Sequence, residues 1–364
     1  MCSVSLWIQV QNEVSQGKLV FFFWSFSHFD HFRFLGSICL FLLIANILEA
    51  KEYVPGTPGA PWSLEETLVV KAKLYSVFNQ HGGYEALKQM VGDQPWLQGF
   101  RSDAPDQAKM LRLAFHDCLK YDDGTGGCDG CLNWKGMGTR RAQRSYEFTY
   151  PNVGNTDNNG LNFTVEFLEH LYTDRTFPKG LAPELKVSLK SSGKSRADLW
   201  AFASIASVEY GLETNQMVCD GTFNGNPISQ CNQQKGQDNC KGNLKRPIQF
   251  QTGRKDCTEV GDKPFKATKH EVHPNAVGSG RMTAEFFQKE FGFSGRETVT
   301  ILGAHTLGRF HNDVSLYRYI WTTKGEHMFN NDYYKNIIGE DKFGFNDDKC
   351  TLVSDAEGRK PKTR

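Results

Sequence analysis

Residues 111–131 constrain the fold more than any other stretch, because an apolar helix leads there directly into a turn rich in glycine, aspartate and cysteine. Arg112 and His116 stand four residues apart, so a helix projects both side chains from one face. A permanent cation and a titratable imidazole are therefore expected to share one pocket. Asp117 comes straight after the helix and Asp129 follows the turn, an arrangement that can offer several oxygen atoms to one hard cation.

Composition sets the broad class of protein. The chain has 364 residues, of which 39% are hydrophobic, enough to bury a sizeable core as one large domain or as two lobes. Lys and Arg number 42 against 41 Asp and Glu, so the formal net charge is only +1. This balance gives no reason to expect nucleic acid or an anionic membrane surface as a partner.

The first 50 residues are expected to be a targeting segment. Residues 36–50 form an apolar run of the length found in signal peptides, preceded by Arg33 and ending at Ala50, a suitable cleavage position. We therefore predict a secreted, extracellular protein. A membrane anchor formed by residues 19–50 and a spurious N-terminal extension are the alternatives, and no stable membrane insertion is expected unless this segment is retained.

Cleavage at Ala50 removes Cys2 and Cys39 and leaves eight of the 10 cysteines. An even number in an exported chain predicts disulfides, whose pairing the sequence leaves open. Zinc is disfavoured because the CxxC motif at residues 128–131 has no second pair of ligands with similar spacing nearby. Three cysteines fall in a polar segment, residues 213–246, which we interpret as a disulfide-tied surface insertion.

The fold class is mainly α, since helical patterns recur along the chain and no strand pattern of comparable strength does. A capping box at residues 63–66 begins a helix that is expected to stop at the glycine pair of residues 82–83. Residues 195–210 are apolar on most sides, which indicates a central helix whose Asp198 needs a partner. A second capping box precedes a predicted helix at residues 298–307.

His305 lies near the end of that last helix, where a histidine is more often a satisfied core residue than a ligand. Two features favour a ligand here. The preceding Gly303 and Ala304 permit close approach of a flat group, and the helix with Arg112 and His116 carries the side chains needed on the opposite face. A haem would then be ligated from one side, while on the other side a neutral imidazole takes a proton from peroxide and an arginine stabilises the departing oxygen.

Two motifs carry a resemblance to a known family. They are Arg112-x-x-Phe115-His116-Asp117-Cys118 and Gly303-Ala304-His305-Thr306-Leu307-Gly308-Arg309. In this order they resemble the distal and proximal signatures of the plant-type haem peroxidase superfamily, over roughly residues 100–335. The resemblance implies the haem peroxidase fold, with a distal lobe at about residues 98–260 and a proximal lobe at about 261–364 around a haem. Residues 51–97 would form an N-terminal helix and linker.

The resemblance also implies roles for residues around a haem b cofactor. His305 would ligate the iron. Arg112 and His116 would form the distal catalytic pair. Asn158 would accept a hydrogen bond from the ring of His116 and so hold the tautomer that leaves the other nitrogen a base. The residues implied in the same way to line the cofactor are Phe115 and Trp321.

Cation sites and structural pairs follow from the same resemblance. Calcium would be held by Asp117, Asp129 and the backbone of Gly127. Thr306 would contribute to a second cation site on the proximal side. The pairs implied in the same way are Cys118 with Cys128, as a disulfide, and Asp198 with Arg254, as a buried ion pair without a catalytic role.

The chain departs from the family pattern at several positions, and the family's residue roles are not assigned at those positions. Cys131 occupies the position of a calcium-binding serine. Lys324 and Asn330 replace oxygen ligands of the second cation site, where an ammonium group can stand in for a metal. Val314 stands where an ascorbate-binding arginine is expected, so ascorbate is not expected as the specific donor. We therefore place the chain among hybrid, exported, peroxidase-like proteins.

We predict an enzyme, a haem peroxidase whose partners are hydrogen peroxide and a small phenol-like electron donor. The alternative is a catalytically weak extracellular binding or structural protein that keeps the fold. The retained Arg112, His116 and His305 favour the enzyme. The proximal histidine also needs an acceptor for its ring N–H. Asp355 has the best local context for this role, and we expect the helix that should close the proximal lobe to be missing after it.

Overall fold

The computed structural model describes residues 52–94, 104–133, 158, 160–220, 247–258, 265–275, 279–308, 327–338, 345–346 and 349–350. In chain order the elements are α1 (Leu64–Val77), α2 (Gln80–Val91), α3 (Gln107–Asp117), β1 (Leu132–Asn133), α4 (Asn162–Thr173), α5 (Arg196–Asp220), β2 (Lys266–Ala267), α6 (Gly280–Phe291), α7 (Gly295–Leu302), a 3-10 helix (Gly303–Thr306), α8 (Asp332–Ile338), β3 (Phe345–Asn346) and β4 (Lys349–Cys350). The described part of the chain is mainly helical, which confirms the predicted fold class.

Several predictions concern residues outside these ranges. They are the signal peptide or anchor within residues 1–50, Val314, Trp321, Lys324 and Asp355. Within the described ranges, no helix is long and apolar enough to cross a membrane.

The first helix begins where the sequence predicts, and a second helix, which the sequence did not predict, follows it. Ser63 Oγ accepts the amide of Glu66 at 3.1 Å, and Glu66 Oε2 accepts the amide of Ser63 at 2.7 Å, which completes the capping box of α1. The predicted stop at residues 82–83 is wrong, because both glycines lie in the first turn of α2, which begins at Gln80. Its N-cap is Asn79, whose Oδ1 accepts the amide of Gly82 at 2.7 Å. A Cβ at Gly82 would lie 1.7 Å from a backbone carbonyl oxygen, so the close turn between the two helices requires glycine.

α3 packs along α5 at the centre of the main apolar core. Met110 and Leu113 of α3, with Leu199 and Trp200 of α5, are fully buried. Burying each such side chain stabilises the fold by about 1.5–3 kcal/mol relative to leaving it exposed. Helices α1, α2 and α4 contribute to the same core. α3 is therefore held on several sides, which fixes the directions in which its polar side chains point.

α5 is longer than predicted. It runs to Asp220, so residues 213–220 of the predicted insertion are helical, and residues 221–246 lie outside the described ranges. The predicted ion pair of its buried aspartate is confirmed, since Arg254 Nη1 lies 3.0 Å from Asp198 Oδ1. The amides of Gly253 and Arg254 donate to the same carboxylate at 2.8 and 3.2 Å. These donors supply hydrogen bonds to the buried carboxylate of Asp198. The same hydrogen bonds hold the described residues 247–258 against α5.

Residues 265–275 form an extended segment that joins β1 to the turn after α3. β2 pairs in parallel with β1, with Leu132 opposite Lys266. Further along, Glu271 forms an antiparallel bridge with Tyr121 of the turn. No strong pattern in the sequence predicted these two-residue strands, yet their register decides which side chains of the segment face α3.

The helix before His305 ends earlier than predicted. α7 stops at Leu302, and the 3-10 helix Gly303–Thr306 continues the chain. Gly308, just beyond, has a φ of +82°, and a Cβ at this position would lie 2.5 Å from Cβ of Ala108. The turn after the 3-10 helix therefore lies against the first turn of α3, at a distance that only glycine permits.

Candidate active site

The buried imidazole of His116 hydrogen-bonds Asn158 at the C-terminal end of α3. Nδ1 of His116 lies 2.7 Å from Oδ1 of Asn158. Nδ2 of Asn158 donates to the carbonyl oxygen of Asn133 at 3.1 Å and to Oε2 of Glu271 at 3.3 Å. Because both of these partners are acceptors, the amide nitrogen must face them and Oδ1 must face His116. Nδ1 of His116 therefore carries a proton, and Nε2 keeps the lone pair of a base.

The surroundings of His116 keep its imidazole neutral. Burial lowers the pKa of His116 well below its usual value, and the charges of Arg112 and His273 lower it further, against the hydrogen bond to Asn158. Arg112 stands one helical turn before His116. The ring of His273 lies edge-on to that of His116, with 4.8 Å between centroids. At neutral pH this imidazole can accept a proton from a bound molecule.

Phe115 provides an apolar wall beside this histidine. Its ring centroid lies 6.0 Å from that of His116 and 5.9 Å from that of Phe287, which is buried on α6. Phe291, one turn further along α6, lies 6.3 Å from Phe115. The aromatic rings therefore separate the imidazole from solvent on the side of α6.

His305 lies in the 3-10 helix that follows α7. Its Nδ1 is 3.0 Å from the carbonyl oxygen of Leu302, and since a carbonyl can only accept, Nδ1 is the protonated nitrogen. Burial lowers the pKa of His305, and the bond to Leu302 opposes this effect. The sequence pointed to a carboxylate such as Asp355 as acceptor, whereas the described acceptor is a backbone carbonyl. Tyr333 of α8 packs against the ring, with 5.2 Å between centroids.

Two disulfides frame the turn after α3. Cys118 pairs with Cys128, as the resemblance implied, across a sequence separation of 10 residues. Cys131 pairs with Cys257 across 126 residues, a pairing that the sequence left open. Cys131, at the position of a calcium-binding serine, is therefore a disulfide partner.

Asp117 and Asp129 meet on this turn at the amide of Cys131, which donates to Oδ1 of each carboxylate at 3.2 Å. The hydroxyl of Tyr121 lies 3.1 Å from both oxygens of Asp129. Burial raises the pKa of Asp129 to about 6, and burial together with repulsion from Asp129 raises the pKa of Asp117. Negative charge is therefore costly here unless a proton or a cation compensates it.

Gly127, the third predicted calcium ligand, lies on the same turn with a φ of +92°. Among the residues that the structure describes, no three or more His, Cys, Asp or Glu side chains form a cluster that could hold a metal ion. Calcium also accepts backbone carbonyls, so two carboxylates on a glycine-rich turn fit part of a calcium shell.

Thr306, predicted to bind a second cation, is fully buried and hydrogen-bonded within the protein. Its hydroxyl donates to Oδ1 of Asn330 at 3.0 Å, and Nδ2 of Asn330 donates to Asp332 at 3.0 Å. These polar groups satisfy one another, and a cation at Thr306 stays a prediction.

Sequence reasoning missed two titratable residues of the site, Glu271 and His273. They lie two positions apart in the extended segment, so their side chains point to the same side. Glu271 reaches the amide of Asn158, and His273 reaches the ring of His116. In the sequence, only their two-residue spacing indicated that both side chains lie on one side of a strand. This spacing does not indicate which part of the chain they face.

A comparison with known protein families identifies the family of this chain. The family model described as Peroxidase matches residues 94–360. The chain belongs to the peroxidase family. The match spans both motifs, and it confirms the resemblance to the plant-type haem peroxidases.

Individual relatives of this peroxidase family member are distant. Mitochondrial cytochrome c peroxidase of Candida albicans is 26% identical over 243 residues, 66% of this chain and 48% of the relative. Peroxisomal L-ascorbate peroxidase 5 of Arabidopsis thaliana is 26% identical over 256 residues, 70% and 66% of the two chains. Mitochondrial cytochrome c peroxidase of Emericella nidulans is 26% identical over 238 residues, 64% and 45%. The chain thus spans 45% to 66% of the length of these curated relatives.

The described residues fit the haem that the family implies. His305 is a neutral imidazole with Nδ1 donating, which is the tautomer that presents Nε2 to a metal. On α3, a neutral His116 and the positive charge of Arg112 lie together. The contact of Gly308 with Ala108 brings the two motif-bearing segments side by side.

Proposed function

We propose that this chain is a haem-dependent peroxidase that reduces hydrogen peroxide at the expense of a small-molecule electron donor. The observation that carries the proposal is the 2.7 Å hydrogen bond between His116 Nδ1 and Asn158 Oδ1, which makes Nε2 the basic nitrogen beside Arg112. Membership of the peroxidase family supports the same chemistry. A haem bound through His305 would supply the redox centre.

The protein's own groups handle the proton and the charge. Nε2 of His116 takes the proton of peroxide and returns it to the departing oxygen. Its lowered pKa keeps the imidazole ready for the first of these transfers. Arg112 stabilises the negative charge that develops on the departing oxygen. Asn158 holds the tautomer, so that the same nitrogen both accepts and returns the proton.

A stopped-flow experiment on the haem-reconstituted protein tests this proposal. One equivalent of peroxide should change the Soret band rapidly in the wild type, and His116→Leu should slow the change about 100-fold or more. His81→Leu is the control, because His81 is exposed on α2. A protein that binds haem and leaves its spectrum unchanged on addition of peroxide would match the alternative, a catalytically weak binding protein.

We propose small phenol-like molecules as donors. The support is Val314, which replaces the arginine expected for ascorbate. The relatives are named cytochrome c and ascorbate peroxidases, so reduced cytochrome c and ascorbate are the donors to test against a phenol. Steady-state rates with a methoxyphenol should give the highest kcat/KM, and a higher value with ascorbate or reduced cytochrome c would refute the phenol-like donor.

We propose that a calcium ion compensates Asp117 and Asp129, with the carbonyl of Gly127 as a further ligand. Buried carboxylates with raised pKa values support this site. Millimolar calcium should raise the Tm of the wild type, and a chelator should lower it. Asp129→Asn should abolish the response. An equal response in Asp129→Asn would remove Asp129 from the site.

We propose that the chain is exported. Two disulfides support an oxidising compartment. The relatives named above are described as mitochondrial or peroxisomal, which is a statement about those proteins. Expression of the full sequence in a secreting host should give a mature protein that begins at Lys51. Retention in the membrane fraction would favour an anchor at residues 19–50.

A further inference from the structure

We propose that Glu271 is a positioning residue for the base of the site: its carboxylate fixes the amide of Asn158, and through that amide the proton-accepting tautomer of His116. The proposal rests on the proposed function and adds a residue from outside both family motifs. Glu271 touches neither the imidazole nor a substrate in this role, because it acts through Asn158.

The carboxylate of Glu271 closes a small ring of hydrogen bonds. Oε1 accepts the amide of Asn133 at 2.6 Å, and Oε2 accepts Nδ2 of Asn158 at 3.3 Å. Nδ2 of Asn158 also donates to the carbonyl oxygen of Asn133 at 3.1 Å. All three residues are buried, with Glu271 7% exposed and Asn158 fully covered. Water therefore cannot replace these partners at low cost.

This ring allows only one orientation of the Asn158 amide. If the amide turned over, Oδ1 would face the carboxylate of Glu271 and the carbonyl of Asn133, which are both acceptors. Nδ2 would then face His116 and demand the opposite tautomer, with the proton on Nε2. The position of Glu271 also suits an acceptor-only group, because both of its oxygens face N–H donors. Protonation would place an O–H against one of these donors and loosen the ring.

The register of the extended segment places Glu271 here. The bridge to Tyr121 and the pairing of β1 with β2 fix residues 265–272 between the turn and β1. Burial raises the pKa of Glu271 to about 7, and repulsion from Asp129 contributes, while the donors Asn133 and Asn158 oppose the shift.

The other groups that face this network are also identified. Tyr121 and Asp129 face Glu271 from the turn after α3. Arg112 and His273 face His116, from α3 and from the extended segment.

The test is Glu271→Gln, with the ¹⁵N resonances of His116 as the main readout. The glutamine amide keeps the size of the side chain but sets an N–H against one of the two donors. We expect the fraction of His116 protonated at Nε2 to rise, in the full chain without haem and with haem. The second-order rate constant for peroxide should fall about tenfold or more at pH 8.

Glu209→Gln is the matched control. Glu209 is 8% exposed on α5 and accepts the amide of Ile248 at 2.7 Å. The control should leave the tautomer of His116 and the rate constant unchanged, although it removes an equally buried carboxylate. A general loss of packing would affect both variants, whereas loss of positioning affects only Glu271→Gln.

Two results would overturn the role of Glu271. One is a Glu271→Gln protein with the wild-type tautomer and rate constant, which would leave the peroxidase proposal intact. The other is a Glu209→Gln protein whose His116 tautomer and rate constant change as much as those of Glu271→Gln, because that result would attribute the effect to a general loss of packing. If the wild type failed to react with peroxide, the function would be refuted, while the tautomer would still test Glu271.

Discussion

Oδ1 of Asn158 lies 2.7 Å from Nδ1 of His116, although 42 residues separate them in the sequence. The amide nitrogen of the same asparagine donates to the carbonyl of Asn133. The acceptor of the His116 ring is therefore the side-chain oxygen of Asn158, and the hydrogen bond to Asn133 sets its orientation. This relationship makes Nε2 of His116 a base without a carboxylate in contact with the ring.

Asn158→Ala should slow the reaction with peroxide by about ten- to a hundredfold, because His116 loses the acceptor that fixes its tautomer. Haem binding should be unchanged. Asn275→Ala is the control, since Asn275 is exposed at the end of the extended segment. Stopped-flow spectra of both variants provide the comparison. Equal rates for Asn158→Ala and the wild type would contradict an orienting role.

Arg112→Leu should shift the pH profile as well as lower the rate. The pKa of His116 is lowered first by burial and then by the charge of Arg112, so removing the arginine raises it. Because the base must be unprotonated, the acid limb of the profile should move to higher pH. At pH 8 the rate constant should fall about 100-fold through loss of charge stabilisation. An unshifted acid limb would show that Arg112 does not act on His116.

Asp198→Asn should destabilise the fold by about 3–5 kcal/mol, because it leaves Arg254 and two backbone amides without their carboxylate. Asp123→Asn is the control. Asp123 is exposed in its ion pair with Lys269, so this variant should lose much less stability than Asp198→Asn. Urea unfolding measures both free energies. The rate of peroxide reduction per folded, haem-bound molecule should not change in either variant.

Removal of the Cys131–Cys257 disulfide should cost more stability than removal of Cys118–Cys128. The chain-entropy argument gives about 5 kcal/mol for a loop of 126 residues and about 3 kcal/mol for one of 10. Double serine variants of each pair, unfolded in urea, test the order. A larger loss from the shorter loop would show that local contacts, and not loop closure, dominate the effect of these bridges.

Local signals in the sequence predicted the starts of helices well. The capping boxes at Ser63 and Ser294 begin α1 and α7, because each serine oxygen accepts the backbone amide three residues ahead. Helix ends were predicted less well. The glycine pair at residues 82–83 lies inside a helix, since close packing between α1 and α2 outweighs the low helix propensity of glycine.

The sequence predicted that Arg112 and His116 share one helix, because their spacing along the helix is a local property, and the catalytic roles of both residues and of His305 stay predictions. The contact of Asn158 with His116 followed from the family resemblance and is present in the structure. Glu271 could not be predicted. Its place beside Asn158 depends on the register of a short extended segment against the turn after α3, and that register is fixed by tertiary hydrogen bonds.

Haem titration of His305→Gly tests the arrangement around the cofactor most directly, because a neutral His305 with Nε2 available to iron is the feature on which the peroxidase chemistry depends. The wild type should bind one haem per chain with a sharp Soret band. His305→Gly should lose tight binding, and added imidazole should restore the band. His327→Gly, a half-buried histidine at the start of the next described segment, should behave as the wild type. An unchanged Soret band and affinity in His305→Gly, without added imidazole, would contradict the assignment.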